Sequence, residues 1–251
     1  MTVFPVATVG RPRPERYPQV AFVSLLRDGA GFHGVYREFE PRRSDVHTSI
    51  RYQRYSLDFV SAGASRLLLD HAEDPRIFEW RGRVWATSNA DQRLVDVLTG
   101  DVVQLRHNLR YAGKNWVPVV GGDRLLFIRS IDPLCVLAVD DDWACTPIIP
   151  EFPTSYIGKY RGGGTATVTG NIITGVGHRT IENPLSHTPF TYQITLQTAR
   201  LSIHEFQPNG FGPDVVIDPT SNIGERIVCC TSARHWWDEQ EITTRICEIT
   251  S

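Results

Sequence analysis

The 251-residue chain has no apolar run long enough to cross a membrane as a helix, and its start, "MTVFPVATVGRPRPERYPQ", lacks the continuous apolar core of a secretion signal. A water-soluble, cytoplasmic protein is the expectation. Charge of one sign is missing too: 26 Lys plus Arg stand against 28 Asp plus Glu, a net charge of −2. Such a balance offers no overall attraction for nucleic acid or an anionic lipid surface, so any anion must be held by local groups. Paired cysteines are also absent. The five present (Cys135, Cys145, Cys229, Cys230, Cys247) are odd in number and form no CxxC, which points to buried thiols instead of a disulfide frame or a zinc site. The adjacent Cys229 and Cys230 would face opposite sides of a strand. The eight histidines fall into no metal-ligand spacing.

Long helical periodicity is lacking as well. What recurs is a short β-rich run, a Gly-containing turn and a second run: "RIFEWRGRVWATS", "VPVVGGDRLLFIRS", "TATVTGNIITGVGH" and "DPTSNIGERIVCCTS". Their starts at Arg76, Val117 and Thr165 are spaced by roughly 40 to 50 residues, the repeat of a propeller blade. The expected class is all-β, with each hairpin supplying two strands of a blade and the segment before it reaching the central funnel. Those lead-in segments are "HTSIRY" (His47 to Tyr52), "HAEDPR" (His71 to Arg76), "AGKNWVP" (Ala112 to Pro118) and "YRGGGTA" (Tyr160 to Ala166). The last run, "TTRICEI", is expected to close the ring against N-terminal strands near "VAFVSLL" (Val20 to Leu26), which removes an exposed edge. Residues 1–17 read as an arm and 18–251 as a single catalytic domain.

"HAEDPRIFEWRGRVWATSN" carries the sharpest local question. Pro75 fixes its own φ and biases Asp74 toward extended backbone, which places Glu73 and Asp74 at a strand entrance. Asp74 beside Arg76 is there either a chemical group or half of a salt bridge. "RGGGT" is no phosphate loop, because neither Lys-Ser/Thr nor a helix follows; its glycines suit a tight turn and close backbone approach.

Read together, "EDPRIFEWRGRVW", "GKNWVPVVGGDRLLFIRSIDP" and "RGGGTATVTGNIITGVGH" resemble, in order, motifs of the five-bladed β-propeller mannoside phosphorylases and β-mannosyltransferases, glycoside hydrolase family 130 and its relatives. The resemblance runs from about Ile50 to Ile249 on a chain short for that family. It implies a five-bladed propeller that transfers a glycosyl group, mannosyl first among sugars, to or from phosphate or from a phosphate-bearing donor. Asp74 takes the general-acid role, with the proton passing through a sugar hydroxyl in the phosphorylases. Lys114, Arg129 and His178 fall on the basic set around phosphate, a task suited to charge neutralisation and forked hydrogen bonds. Arg51, Glu73, Arg76, Asn115 and Arg161 are further candidates for sugar or phosphate contacts. Asp238 in "RHWWDEQ" loosely matches an aspartate that binds the non-reducing sugar. Trp116 and Tyr111 are either sugar platforms or blade packing.

The resemblance implies a small carbohydrate substrate, no organic cofactor, and inorganic phosphate or a sugar phosphate or nucleotide as co-substrate. A hydrolase is the enzymatic alternative and needs a second carboxylate about 6.5 to 9.5 Å from the first; Glu182 and Glu205 are available. A propeller that only binds glycans or proteins is the alternative outside catalysis.

Overall fold

The computed structural model describes residues 2–8, 19–41, 46–89, 91–109, 114–152, 159–182, 185–208, 216–222, 227–233 and 243–250. All regular elements among them are strands. Among the described residues four antiparallel strands make each of five blades, with a further short strand, β14 (Lys159–Gly162), beside an inner strand of blade IV. Blade I is β2 (Gln19–Asp28), β3 (Gly31–Pro41), β4 (Val46–Tyr55) and β5 (Ser61–Asp70). Blade II is β6 (Ile77–Trp80), β7 (Arg83–Ser88), β8 (Arg93–Asp96) and β9 (Val102–Gln104). Blade III is β10 (Val117–Val120), β11 (Leu126–Ser130), β12 (Leu134–Val139) and β13 (Cys145–Phe152). In blade IV, β14 (Lys159–Gly162) precedes β15 (Ala166–Thr169), β16 (Ile172–Glu182), β17 (Leu185–Thr195) and β18 (Arg200–Glu205). A short β19 (Gln207–Pro208) leads to blade V, made of β20 (Val216–Asn222), β21 (Ile227–Ala233), β22 (Thr243–Thr250) and β1 (Thr2–Thr8).

The four hairpins read from the sequence are the two inner strands of blades II to V. Ring closure differs from expectation. β22 pairs antiparallel with β1, from Thr2↔Thr250 to Thr8↔Arg245, whereas Val20–Leu26 lies in β2. Thr2–Thr8, inside the segment read as an arm, is thus the fourth strand of the last blade, and it covers the edge of β22. "HTSIRY" also differs: it lies on β4, the third strand of blade I, and leads into no blade.

First strands of neighbouring blades surround the axis, tied by buried hydroxyls. Ser24 of β2 accepts the Ile77 N–H at 3.1 Å, and Thr220 of β20 donates to the Val23 carbonyl. Thr165 donates to the Ile77 carbonyl at 2.8 Å, joining blade IV to blade II, and β10 pairs in parallel with β15. Strands that meet head-on around a tube cannot all complete ladders with each other, so short hydroxyl side chains satisfy their backbone groups.

Apolar side chains fill the seams. Val35, Ile50, Leu69, Ile77 and Val95 pack between blades I and II; Phe78, Trp85, Leu94, Trp116, Phe127 and Leu137 pack between II and III. Val117, Ile128, Val136, Ile173 and Phe190 lie between III and IV. Alternation along each strand sets these faces: Val35 and Arg37 of β3 point toward blade II, and Tyr36 joins Ile246 in the seam toward blade V.

Candidate active site

The segment before β6 places the acidic pair. Asp74 has a left-handed backbone, φ 50°, where its position before Pro75 had predicted an extended one. The reason lies just past the end of β7: Asn89 donates its side-chain N–H to the Asp74 carbonyl at 2.7 Å and its backbone N–H to the Glu73 carbonyl at 3.0 Å. Two anchors on consecutive carbonyls over-determine the turn and override the local preference. Asp74 is buried to 9 % exposure. Its Oδ1 accepts from an Arg37 terminal nitrogen at 3.1 Å, and the same nitrogen is 3.0 Å from Glu73 Oε2. Asp74 Oδ2 makes no hydrogen bond to a described residue. One carboxylate oxygen is thus fixed and the other is left for a ligand.

Arg76 goes elsewhere. Buried to 3 % exposure, it donates Nε to the Gly163 carbonyl of blade IV and a terminal nitrogen to the Pro75 carbonyl at 2.9 Å. Its backbone N–H and carbonyl are both held by Thr87 at 2.9 Å. The sequence pattern suggested Asp74 or Glu73 as its partner; instead it spans the tube and ties the blade II lead-in to that of blade IV.

"RGGGT" lies where backbones meet. Gly163 donates its N–H to the Val176 carbonyl at 2.9 Å, and a methyl group there would come within 2.5 Å of the Pro219 carbonyl oxygen. Gly162 packs on the Val117 side chain and the Asn115 carbonyl. Only glycine permits this approach of blades III, IV and V. Arg161 enters beside it on β14, half-buried and paired in register with His178 on β16. His178 is buried and stacks on His187, with centroids 4.4 Å apart and 15° between planes.

The blade III lead-in begins with exposed Lys114, followed by Asn115, buried and left-handed at φ 67°. Among the described residues neither Lys114 nor Arg161 makes an ion pair. Two cations are therefore available to an external anion.

Three other candidates sit differently. Arg129, near the end of β11, pairs with Glu151 of β13, toward the outside of blade III. Arg51 on β4 reaches Glu38 at 3.4 Å and Ser65 at 3.3 Å, within blade I. Trp116 is 2 % exposed and packs on Phe127 and His107, so it is core. Tyr111 and Asp238 lie outside the described residues. Of the carboxylates held in reserve, Glu205 is bound by Arg179 at 2.7 and 3.1 Å and by Tyr160 at 3.2 Å; the Glu182 side chain is outside the described set. Among the described residues no three His, Cys, Asp or Glu gather as a metal site.

Arg37 and Asn89 are the site residues that no motif announces. The signal for Arg37 is indirect: on β3 it occupies the face that Val35 gives to the seam, and a charge there needs a partner.

No family profile matches the sequence, and no curated protein matches it. Solved structures do resemble the fold. A putative glycoside hydrolase from Parabacteroides distasonis superposes with a TM-score of 0.62 at 10% identity, covering 96% of this chain and 92% of that one. A structure from work on the family 130 mannoside phosphorylases, described as containing hydrolases that target β-1,2-mannosidic linkages in Candida mannan, gives 0.63 at 10% identity over 92% and 84%. The catalytic domain of a Coprinopsis cinerea family 62 α-L-arabinofuranosidase gives 0.64 at 6% identity over 99% and 96%. At these identities the likeness is one of fold, and the chain is a five-bladed β-propeller.

Proposed function

We propose that this protein is a carbohydrate-active enzyme that transfers a glycosyl group, mannosyl first among sugars, to or from phosphate or from a phosphate-bearing donor. The observation that carries the reading is Asp74: a buried carboxyl at the head of an inner strand, one oxygen held by Arg37 and the other open. A general acid needs this combination of fixed direction and a free proton-bearing oxygen. In cleavage Asp74 Oδ2 delivers its proton to the leaving oxygen, directly or through a sugar hydroxyl. In the reverse direction it accepts the proton from the attacking hydroxyl. Arg37 holds the carboxylate that results, and Glu73 shares that guanidinium.

The same inner end of the propeller supports the anion side of the reading. Lys114 and Arg161 bring cations from two lead-ins, and Asn115 and His178 add hydrogen-bonding groups beside them. Arg129 is engaged by Glu151 through one terminal nitrogen. A dianionic phosphate brought toward the anomeric carbon needs this neutralisation. The hydrolase reading loses one of its two carboxylates, since both Glu205 oxygens are occupied. Fold likeness to proteins described as glycosidases and mannoside phosphorylases supports a carbohydrate-active reading, and the sugar and the phosphate rest on the motif resemblance.

The test is product analysis with a panel of β-mannosides, with and without phosphate, on wild type and Asp74→Asn. Glycosyl phosphate should form only with phosphate, and the substitution should lower turnover by about 10² to 10⁴ with an unchanged melt. Free sugar released at a phosphate-independent rate would make the enzyme a hydrolase. Full turnover by Asp74→Asn would remove its role.

A further inference from the structure

At the far end of β6 from Asp74, on the opposite face of the propeller, two left-handed residues meet that are not glycine. The hairpin Trp80-Arg81-Gly82-Arg83 turns through Arg81 (φ 53°) and Gly82 (φ 68°), the geometry that favours Asn-Gly. Trp143, φ 64°, sits in the turn between β12 and β13, where Asp140 Oδ1 accepts from Asp142 at 2.9 Å and from Ala144 at 2.8 Å. Large side chains are strained at such positions, and strain of this kind gathers where a side chain has a task.

Their side chains build one surface. The Trp143 ring stands edge-on to Trp80 at 5.6 Å and to Trp85 at 5.2 Å. Arg81 lies over Trp80 at 4.3 Å and Arg83 over Trp85 at 4.6 Å. Trp80 and Trp143 are half-buried, and Arg81 and Asp141, paired at 2.8 Å, are 57% and 81% exposed along their side chains. Charge is balanced locally: Arg81 by Asp141, and Arg83 by Asp96 and Asp101. That balance disfavours a nucleic acid or any other polyanion. Indole rings rimmed by a carboxylate and a guanidinium suit a pyranose, whose C–H face stacks on an aromatic ring while its edge hydroxyls donate and accept. Arg81 is held over Trp80 by one cation–π contact and one exposed ion pair to Asp141, both of the weak class, so a sugar ring can move it aside to the rim, where its N–H groups still donate to hydroxyls.

We propose that Trp80, Arg81, Asp141 and Trp143 form a second binding site, for a neutral glycan, remote from the Asp74 site. It does not rest on the reaction assigned to Asp74. The test is native electrophoresis through gels containing soluble mannan, arabinoxylan or polygalacturonate, using wild type, Asp74→Asn, and a double Arg81→Gly, Asp141→Ala variant. Glycine suits the left-handed position and Asp141 is exposed, so the double variant should keep the wild-type melt. Retardation is expected in at least one neutral gel, unchanged in Asp74→Asn and weakened about tenfold in the double variant. Trp143→Ala should abolish it; where that variant melts early, the double variant decides. Retardation that survives the double variant, that is lost in Asp74→Asn, that appears only in polygalacturonate, or that is absent for folded wild type in both neutral gels overturns the proposal.

Discussion

Replacing Arg76 with Met asks whether this arginine serves the ligand or the fold. Met keeps most of the apolar stem and removes the guanidinium. The hydrogen bonds lost include those to the carbonyls of Gly163 and Pro75. Bonds to a charged donor contribute about 1.5 to 3 kcal/mol each, and a buried carbonyl left without a donor carries its own penalty of about 1 to 3 kcal/mol. Against this, the variant no longer buries a cation, which returns several kcal/mol of desolvation. The geometry decides the sign: Arg76 is 3 % exposed in the tube, and its partner Gly163 belongs to another blade. The expected net loss is about 2 to 4 kcal/mol, a large share of a total of roughly 5 to 15 kcal/mol. Urea unfolding followed by tryptophan fluorescence should show a lower midpoint for Arg76→Met and an intermediate one for Arg76→Lys. Stability within about 0.5 kcal/mol of wild type, coupled with lost binding of sugar or phosphate, would refute the strut and make Arg76 a ligand contact.

Gly163→Ala should cost about 1 to 3 kcal/mol by thermal melt, because the new methyl meets backbone carbonyl oxygens of Pro219 at 2.5 Å and Val176 at 2.9 Å, which cannot rotate away. Asp96→Ala should cost about 2 to 4 kcal/mol in the same assay, since the buried carboxylate accepts the N–H groups of Leu98 at 2.8 Å and Thr99 at 2.9 Å; an unchanged melt would mean the turn finds other acceptors. Acid should destabilise the protein in two steps. Burial, reinforced by Arg54, lowers the His33 pKa from 6.5, so its neutral form contributes stability that is complete above pH 6.5 and lost as pH falls below it. Asp28, lowered chiefly by its hydrogen bonds from Arg54, and Asp96, where backbone N–H groups and Arg83 outweigh burial, contribute stability present above pH 3.8 and lost below it. A melting temperature flat from pH 7 to about 4.5 would contradict the first step, and His33→Gln should abolish it.

Blades II to V were legible because their inner strands are short and joined by turns whose residues announce themselves: Arg81-Gly82, Gly121-Gly122, Gly170-Asn171. Blade I was not, since β2 and β3 are ten and eleven residues long and a bulge between Ala21 and Ser24 breaks the alternation. The closing strand was misplaced for a related reason. "VAFVSLL" is the more apolar run and looks like the buried partner, but closure is decided by which strand follows the last blade around the ring, and that is β1. Periodicity reports burial; it is silent on pairing between the two ends of a chain.

The candidate site was legible in the sequence only as a motif, without the partners of its side chains, and its arginine shows why. In an extended strand Asp74 and Arg76, two positions apart, point to the same side and would pair. The left-handed turn at Asp74 breaks that alternation. It sends the carboxylate toward Arg37 of blade I and the guanidinium toward Gly163 of blade IV. What fixes the turn is Asn89, fifteen positions downstream, and what receives the carboxylate is Arg37, thirty-seven positions upstream. Neither is visible in "EDPR". The consequence is chemical as well as structural: had Arg76 paired with Asp74, two charged donors would have claimed both carboxylate oxygens. With Arg76 drawn into the tube, Arg37 claims one oxygen only, and that asymmetry is what the proposed general acid requires.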